Sequence, residues 1–557
     1  MESIKSSGPS LPSLRSITMK KFVFAGLFAF ASICAQAQTT KDALRLLEIE
    51  KYADAEAAFA KLTAAAPTPE NYYFAGNAAA KMGKKDIAKQ MFDKSMEVAG
   101  KNKNPLGHVG QGTLAILNGD KTTAFTHFDM ARKESKEKSA EVMFRIGEAY
   151  TIFPTTDAPE GIKALTKASE LNKTSAEIYV LLGDAFLLMN DGSSAGTQYD
   201  RAKAANSKYA RAYIRYGDII LRTKNYNGAL DNYKQGIAAD STYTPGYREI
   251  AELYQLAGRY PEALANYQKY IDRTDRNEKN LQQYAGYLFL NKRFDEAGRV
   301  IDEIKSKSDS PIYYRLVAYN QYETGKPMEA EASINQFFTL AMADTIKTPI
   351  KASDYEYRGK IAIKNGKDTT KAIEDLKLAI ARDTLKVAAF KELGDSAFTK
   401  KQYATSARFY KAYAQTNRNI TANEYFKYGQ SLYFAKMYKA ADSAFAMVTT
   451  LAPNSPTGLL YRGYANQGLD PKYTSMAAKP YFEEYLKFTA DTSKVTPEQA
   501  LTFKKPRAVA LAYFAAMYAN KADCKQALKY ANDALAEDPA NKQANQVVAA
   551  YKTAPCK

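Results

Sequence analysis

The chain of 557 residues offers few side chains able to run a reaction. Its histidines are His108 and His127, and its cysteines are Cys34, Cys524 and Cys556. Zinc or haem sites and Cys/His nucleophiles need several such groups at fixed spacing. Neither histidine stands in H-x-x-x-H, in H-E-x-x-H or beside a cysteine cluster. Gly107-x-x-Gly110-x-Gly112 reads as the start of a helix with small contact residues, not as a phosphate loop. Carboxylates are scattered at helical surface positions, and no general acid–base pair stands out. The chain is therefore expected to be no enzyme, with no catalytic residue, no metal and no cofactor.

What the chain does have is material for a core. Hydrophobic residues make up 46% and charged residues 25%, which excludes disorder, collagen and a disulfide-dense mini-protein. Lys and Arg number 78 against 60 Asp and Glu, a net charge of +18. These cations are spread along the chain without a long basic run. They read as a solvated surface, with no nucleic acid expected as partner.

The elements repeat with a period of 34 residues, as in Gly183, Gly217, Ala251 and Ala285. Ala195, Ala229, Ala263 and Ala297 keep the same register, as do Tyr199, Tyr233, Tyr267 and Ile301. Each unit reads as helix, tight turn, helix. Gly or Ala sits where the two helices cross closely, and a large residue three or four positions away fills the adjoining gap. One such unit cannot hide its own apolar face, so neighbours must stack.

These small–large pairs resemble the tetratricopeptide repeat (TPR) family. The match continues through Gly76, Gly112, Gly147, Gly359, Gly394, Gly429 and Gly463 at the small position of the first helix, helix A. Tyr72, Tyr179, Tyr213, Tyr247, Tyr314, Tyr355 and Tyr425 stand where the family often has Trp, which accounts for 41 Tyr and no Trp. His108 takes the same place and reads as core. The resemblance implies an all-α, right-handed superhelical solenoid of about fourteen helix-turn-helix repeats. Its divisions are read as an extension and signal peptide over 1–37, a TPR block over 38–340, and an irregular connector over 341–354. A second block follows over 355–488, then a polar insert over 489–506 and a last repeat with capping helix over 507–557.

The family's concave groove is lined by helix A. By that resemblance Glu148, Asp184, Asp218 and Glu252 form an acidic column there, with Arg211, Arg215 and Arg248 nearby. The arginines either pair with those acids or leave a mixed groove for a basic or polar peptide. Phe426, Tyr433 and Phe434 would make an apolar strip farther along. One subclass binds chaperone tails through Lys and Asn on its first helix A. Here Tyr73 and Asn77 occupy those places, so that function is not expected. The implied function is a scaffold binding envelope proteins or peptides in the groove, and the alternative is a glycan- or peptidoglycan-binding module.

Lys20 and Lys21, the apolar run Phe22–Ile33 and then Ala35-Gln36-Ala37 describe a secretory signal peptide. Cleavage between Ala37 and Gln38 is expected, with translation from Met1 or from Met19. Cys34 lacks the small residue that a lipoprotein cysteine needs just before it. The expected place is the periplasm or the outer membrane, where this leader resembles exported TPR proteins of the Bacteroidota. The apolar run is too short to span a bilayer, so no transmembrane anchor remains after cleavage. Cys524 and Cys556 lie 32 residues apart, on the same edge of consecutive units. In an oxidising compartment they either form a disulfide pinning the last helix, adding roughly 3–4 kcal/mol, or remain free thiols.

Overall fold

The computed structural model describes residues 39–153, 157–305, 310–367, 369–417 and 419–553. Among the described residues there are 29 α-helices, one 3-10 helix and no strand. The chain divides into two compact units, Met1–Asn280 and Leu281–Lys557, and not at the connector expected near residue 341.

The first unit contains α1 (Thr40–Glu48), α2 (Tyr52–Ala65), α3 (Pro69–Lys81), α4 (Lys85–Ala99), α5 (Pro105–Leu117), α6 (Lys121–Ser135) and α7 (Ala140–Ile152). It continues with α8 (Ala158–Leu171), α9 (Ala176–Leu188), α10 (Gly192–Ala205), α11 (Ala210–Arg222), α12 (Tyr226–Ala239), α13 (Pro245–Leu256) and α14 (Tyr260–Ile271). Odd and even helices pair as hairpins, and successive hairpins stack. Local chemistry sets the helix starts. Thr68, Ser139 and Ser175 accept from the backbone N–H three residues on, and Pro69, Pro105 and Pro245 begin helices where a missing N–H costs nothing.

One contact recurs at the crossing of four of these hairpins. The rings of Phe92, Phe128, Tyr199 and Tyr233 on the second helices lie directly over Gly76, Gly112, Gly183 and Gly217 on the first. All four rings are fully buried. The position shared by Tyr179, Tyr213 and Tyr247 follows a second rule. Each hydroxyl donates to the carbonyl six residues back, Lys173, Ser207 and Ser241 in turn, at 3.2 Å. The expected core fillers thus also satisfy the turns between repeats.

The second unit contains most of α15 (Glu278–Leu290), then α16 (Phe294–Lys305), α17 (Pro311–Glu323), α18 (Pro327–Ala343), α19 (Ala352–Lys364), α20 (Thr369–Arg382), α21 (Ala388–Thr399) and α22 (Tyr403–Thr416). After these come α23 (Ala422–Phe434), α24 (Tyr438–Leu451), α25 (Thr457–Leu469), α26 (Lys479–Ala490), α27 (Pro497–Asn520), α28 (Cys524–Glu537) and α29 (Lys542–Thr553). The same ring-on-glycine contact recurs at Gly429 with Phe445 and Gly463 with Phe482.

Two irregular stretches differ from expectation. Helices α18 and α19 cover both ends of 341–354, leaving only residues 344–351 outside them. Within α19, fully buried Asp354 accepts from Arg315 at 2.7 and 2.9 Å and from Tyr319 at 2.6 Å, so this segment is a core anchor. The polar insert 489–506 is helical from Pro497 onward. Thr496 and Gln499 form a capping box, and the helix runs through Pro506. Proline removes one helical hydrogen bond. Just beyond it, Arg507 donates to Glu537 and to Thr489, both at 2.8 Å, which holds the continuation in place.

A Cβ on Gly217 would lie 2.6 Å from the Tyr233 ring and 3.2 Å from the Ala229 carbonyl oxygen. We expect Gly217→Ala to lose about 1–3 kcal/mol in denaturant unfolding. Gly196→Ala, whose Cβ would meet only Tyr216 at 3.8 Å, should be neutral or gain up to about 1 kcal/mol.

Candidate functional site

In the first unit the charged residues expected to line a groove have ion-pair partners, some among themselves and some elsewhere. Glu148 on α7 is buried and accepts from Arg145 at 2.9 Å, from Asn77 at 2.9 Å and from Lys81 at 2.5 Å. Burial alone would raise its pKa, but Arg145 and Lys81 hold the carboxyl well below the usual range. Asn77, the one match to the chaperone-tail pattern, is thereby committed to an internal partner.

Asp184 on α9 takes Arg211 at 3.0 Å and Arg215 at 2.7 Å, both from α11. Arg215 also donates to Asp218 at 2.9 Å. The ring-on-glycine tyrosines complete the pattern. Tyr199 donates to Asp184 at 2.7 Å and Tyr233 to Asp218 at 2.9 Å, each across its own hairpin. Burial, reinforced by Glu249 and only partly offset by Arg215, pushes Asp218 up to about 6. Buried carboxylates need such partners, since an unpaired charge away from water is costly.

Arg248 on α13 lies only 4.0 Å from Glu252, and its main partner is elsewhere. It donates to both carboxylate oxygens of Glu50 at 2.7 Å, 198 residues earlier in the chain. Tyr270 on α14 donates to the same Glu50, and Arg45 on α1 pairs with Asp240. Ala53 N–H donates to Asp275 at 2.8 Å, and Thr244 donates to the Ile49 carbonyl at 2.5 Å. The first hairpin is thus tied by side chains to the region of α12–α14, with Leu44, Leu46 and Leu47 packed on the unit's core. Arg211 and Arg215 pair with acids of the expected column, whereas Arg248 pairs with Glu50, outside it.

The apolar strip expected in the second unit is split. Phe426 turns inward, its ring 4.7 Å from Tyr461 and 6.0 Å from Phe445. Phe434 stays 47% exposed at the end of α23. Its ring centroid is 5.0 Å from Tyr403, 5.5 Å from Tyr433 and 6.1 Å from Phe398. Met437, beside them in the hairpin turn, is 50% exposed. Sequence reasoning named Phe434 and Tyr433 but missed Phe398, Tyr403 and Met437. The signal was available, because both rings flank the hairpin turn one repeat before Phe434.

Cys524 opens α28 and is disulfide-bonded. Cys556, Ala37 and Gln38 lie outside the described residues. Among the described residues no helix is long and apolar enough to cross a membrane.

No protein-family model matches the chain, and no curated protein matches it in sequence. Among solved structures, it is similar to the C-terminal part of a TPR repeat-containing protein of Cytophaga hutchinsonii, at 29% identity and a TM-score of 0.32. That match covers 48% of this chain and 99% of the other. A tetratricopeptide repeat protein of Parabacteroides merdae is similar at 17% identity and a TM-score of 0.33, covering 45% and 97%. A TPR protein of Thermus thermophilus gives 20% identity and a TM-score of 0.29, covering 33% and 100%. Scores this low bear no weight on the chain's larger arrangement. The repeat reading stands on the hairpins and their glycine contacts.

Asp218 supplies a pH test. The folded chain holds its proton to about 6, whereas the unfolded chain loses it near 3.8. Its contribution to stability is therefore present below about pH 4, falls as pH rises to about 6, and is flat above. Carboxyl-carbon NMR of aspartate-labelled protein should show one aspartate titrating near pH 6 that is missing in Asp218→Asn. A wild-type spectrum with every aspartate titrating below pH 5 contradicts this environment.

Proposed function

We propose that the protein is an exported, non-catalytic helical-repeat scaffold that binds partner proteins in the cell envelope. The observation that carries the reading is the aromatic edge of the second unit, where Phe434 and Met437 stand in solvent beside Phe398, Tyr403 and Tyr433. Clustered apolar surface rimmed by polar residues marks a contact site more often than scattered apolar residues do. The charges of the first unit support the same assignment indirectly. Glu148 is already paired with Arg145, and Asp184 and Asp218 with Arg215, so they offer a partner less than an exposed ring does. Stacked hairpins alone do not establish a function. The leader over residues 1–37 supports export, to the periplasm or the outer membrane.

A photo-crosslinking residue at Phe434, introduced in the native envelope, should give discrete protein adducts. The same residue at exposed Lys234 on α12 should give none. Absence of protein adducts at Phe434, with the protein retained on insoluble cell wall, would instead identify a glycan module and refute the scaffold.

A further inference from the structure

The chain's only two histidines, 19 residues apart, meet across one hairpin. His108 on α5 and His127 on α6 bring their Nδ1 atoms to 3.3 Å, with ring centroids 5.6 Å apart and planes 31° from parallel. The sequence reading of His108 as a core aromatic did not include this neighbour. Both rings are partly open to solvent. On the far side of His108, a Glu134 oxygen lies 3.6 Å from Nε2. The other Glu134 oxygen accepts from the Asn104 backbone N–H at 2.9 Å, which fixes the carboxylate.

This arrangement has the form of a chelate. A carboxylate facing Nε2 favours the tautomer with its proton there, leaving the Nδ1 lone pair for a ligand. Metal–imidazole bonds of about 2.0–2.1 Å to two nitrogens 3.3 Å apart enclose an angle of about 105°, close to tetrahedral.

We propose that His108 and His127 form a two-nitrogen site for a divalent transition cation such as zinc, nickel or copper, with water in the remaining positions. Among the described residues no group of three or more His, Cys, Asp or Glu is placed to hold a metal, so the described residues supply these two donors there. Two imidazoles and water suit these cations, whereas magnesium and calcium select oxygen donors. In the free pair one Nδ1 carries the proton it shares with the other. On binding, that proton passes through solvent to the Nε2 of the same ring, and the cation takes its place. Glu134 acts as a positioning residue.

The test uses the full chain without an affinity tag, titrated with copper(II) and followed by electron paramagnetic resonance. One equivalent should bind with coupling to two imidazole nitrogens, and zinc should displace it. His108→Asn and His127→Asn should each remove the two-nitrogen signal while the helical circular dichroism is retained. Glu134→Gln should keep the signal and weaken binding roughly 10–100-fold. A spectrum unchanged in the His108→Asn/His127→Asn double variant, or no bound copper in the wild type, overturns the proposal. Should a histidine variant fail to fold, wild-type protein with both imidazoles carbethoxylated must lose the signal for the proposal to stand.

Discussion

Everything in this molecule depends on how closely two helices of a hairpin can approach. A flat ring on the second helix lies on a glycine of the first, as Phe92 does on Gly76 and Tyr233 on Gly217. A side chain at the glycine would enter the ring, and a small residue in place of the ring would leave a void. That single fit sets the crossing of the hairpin and the spacing at which the next one stacks. It is also why the repeat is visible as columns of small and large residues.

Tyrosine adds a polar consequence to the same fit. Where the ring is Tyr199, Tyr233 or Tyr410, its hydroxyl emerges beside Asp184, Asp218 or Asp395 and donates to it. The acid is thereby held ready for arginines of the next repeat, as Asp184 is for Arg211 and Arg215. Packing and electrostatics are one device at Asp184 and Asp218, which read as internal framework. The first hairpin extends the framework when Glu50 meets Arg248 and Tyr270. In the second unit Phe434 stays exposed against the half-buried rings of Phe398 and Tyr403, and this aromatic cluster directs the functional reading toward it.

What could be read from sequence follows from the range of each interaction. The glycine and ring columns were legible because each contact closes within one hairpin and recurs at a constant interval. The acids and arginines were legible as neighbours, but not as a finished network, because their pairing depends on curvature accumulated over several repeats. Glu50 carried no signal at all. Its partner is 198 residues away, and no periodic pattern encodes that distance. The polar insert expected over 489–506 erred in the opposite sense, since α27 begins at Pro497 and runs through Pro506, with Arg507 anchoring the continuation. The histidine pair was missed because neither residue stands in a ligand motif within one helix, and only the hairpin turn brings them together.

A double-mutant cycle on Gly76 and Phe92 measures the central contact most directly, with unfolding free energies for Gly76→Ala, Phe92→Leu and the pair. The ring-on-glycine account predicts that the two changes are not additive. The methyl that clashes with the phenyl ring, 2.6 Å away, should be tolerated beside the smaller leucine, with a coupling of about 1 kcal/mol or more. Additive losses within about 0.3 kcal/mol would show that the two residues do not constrain one another, and would contradict the account.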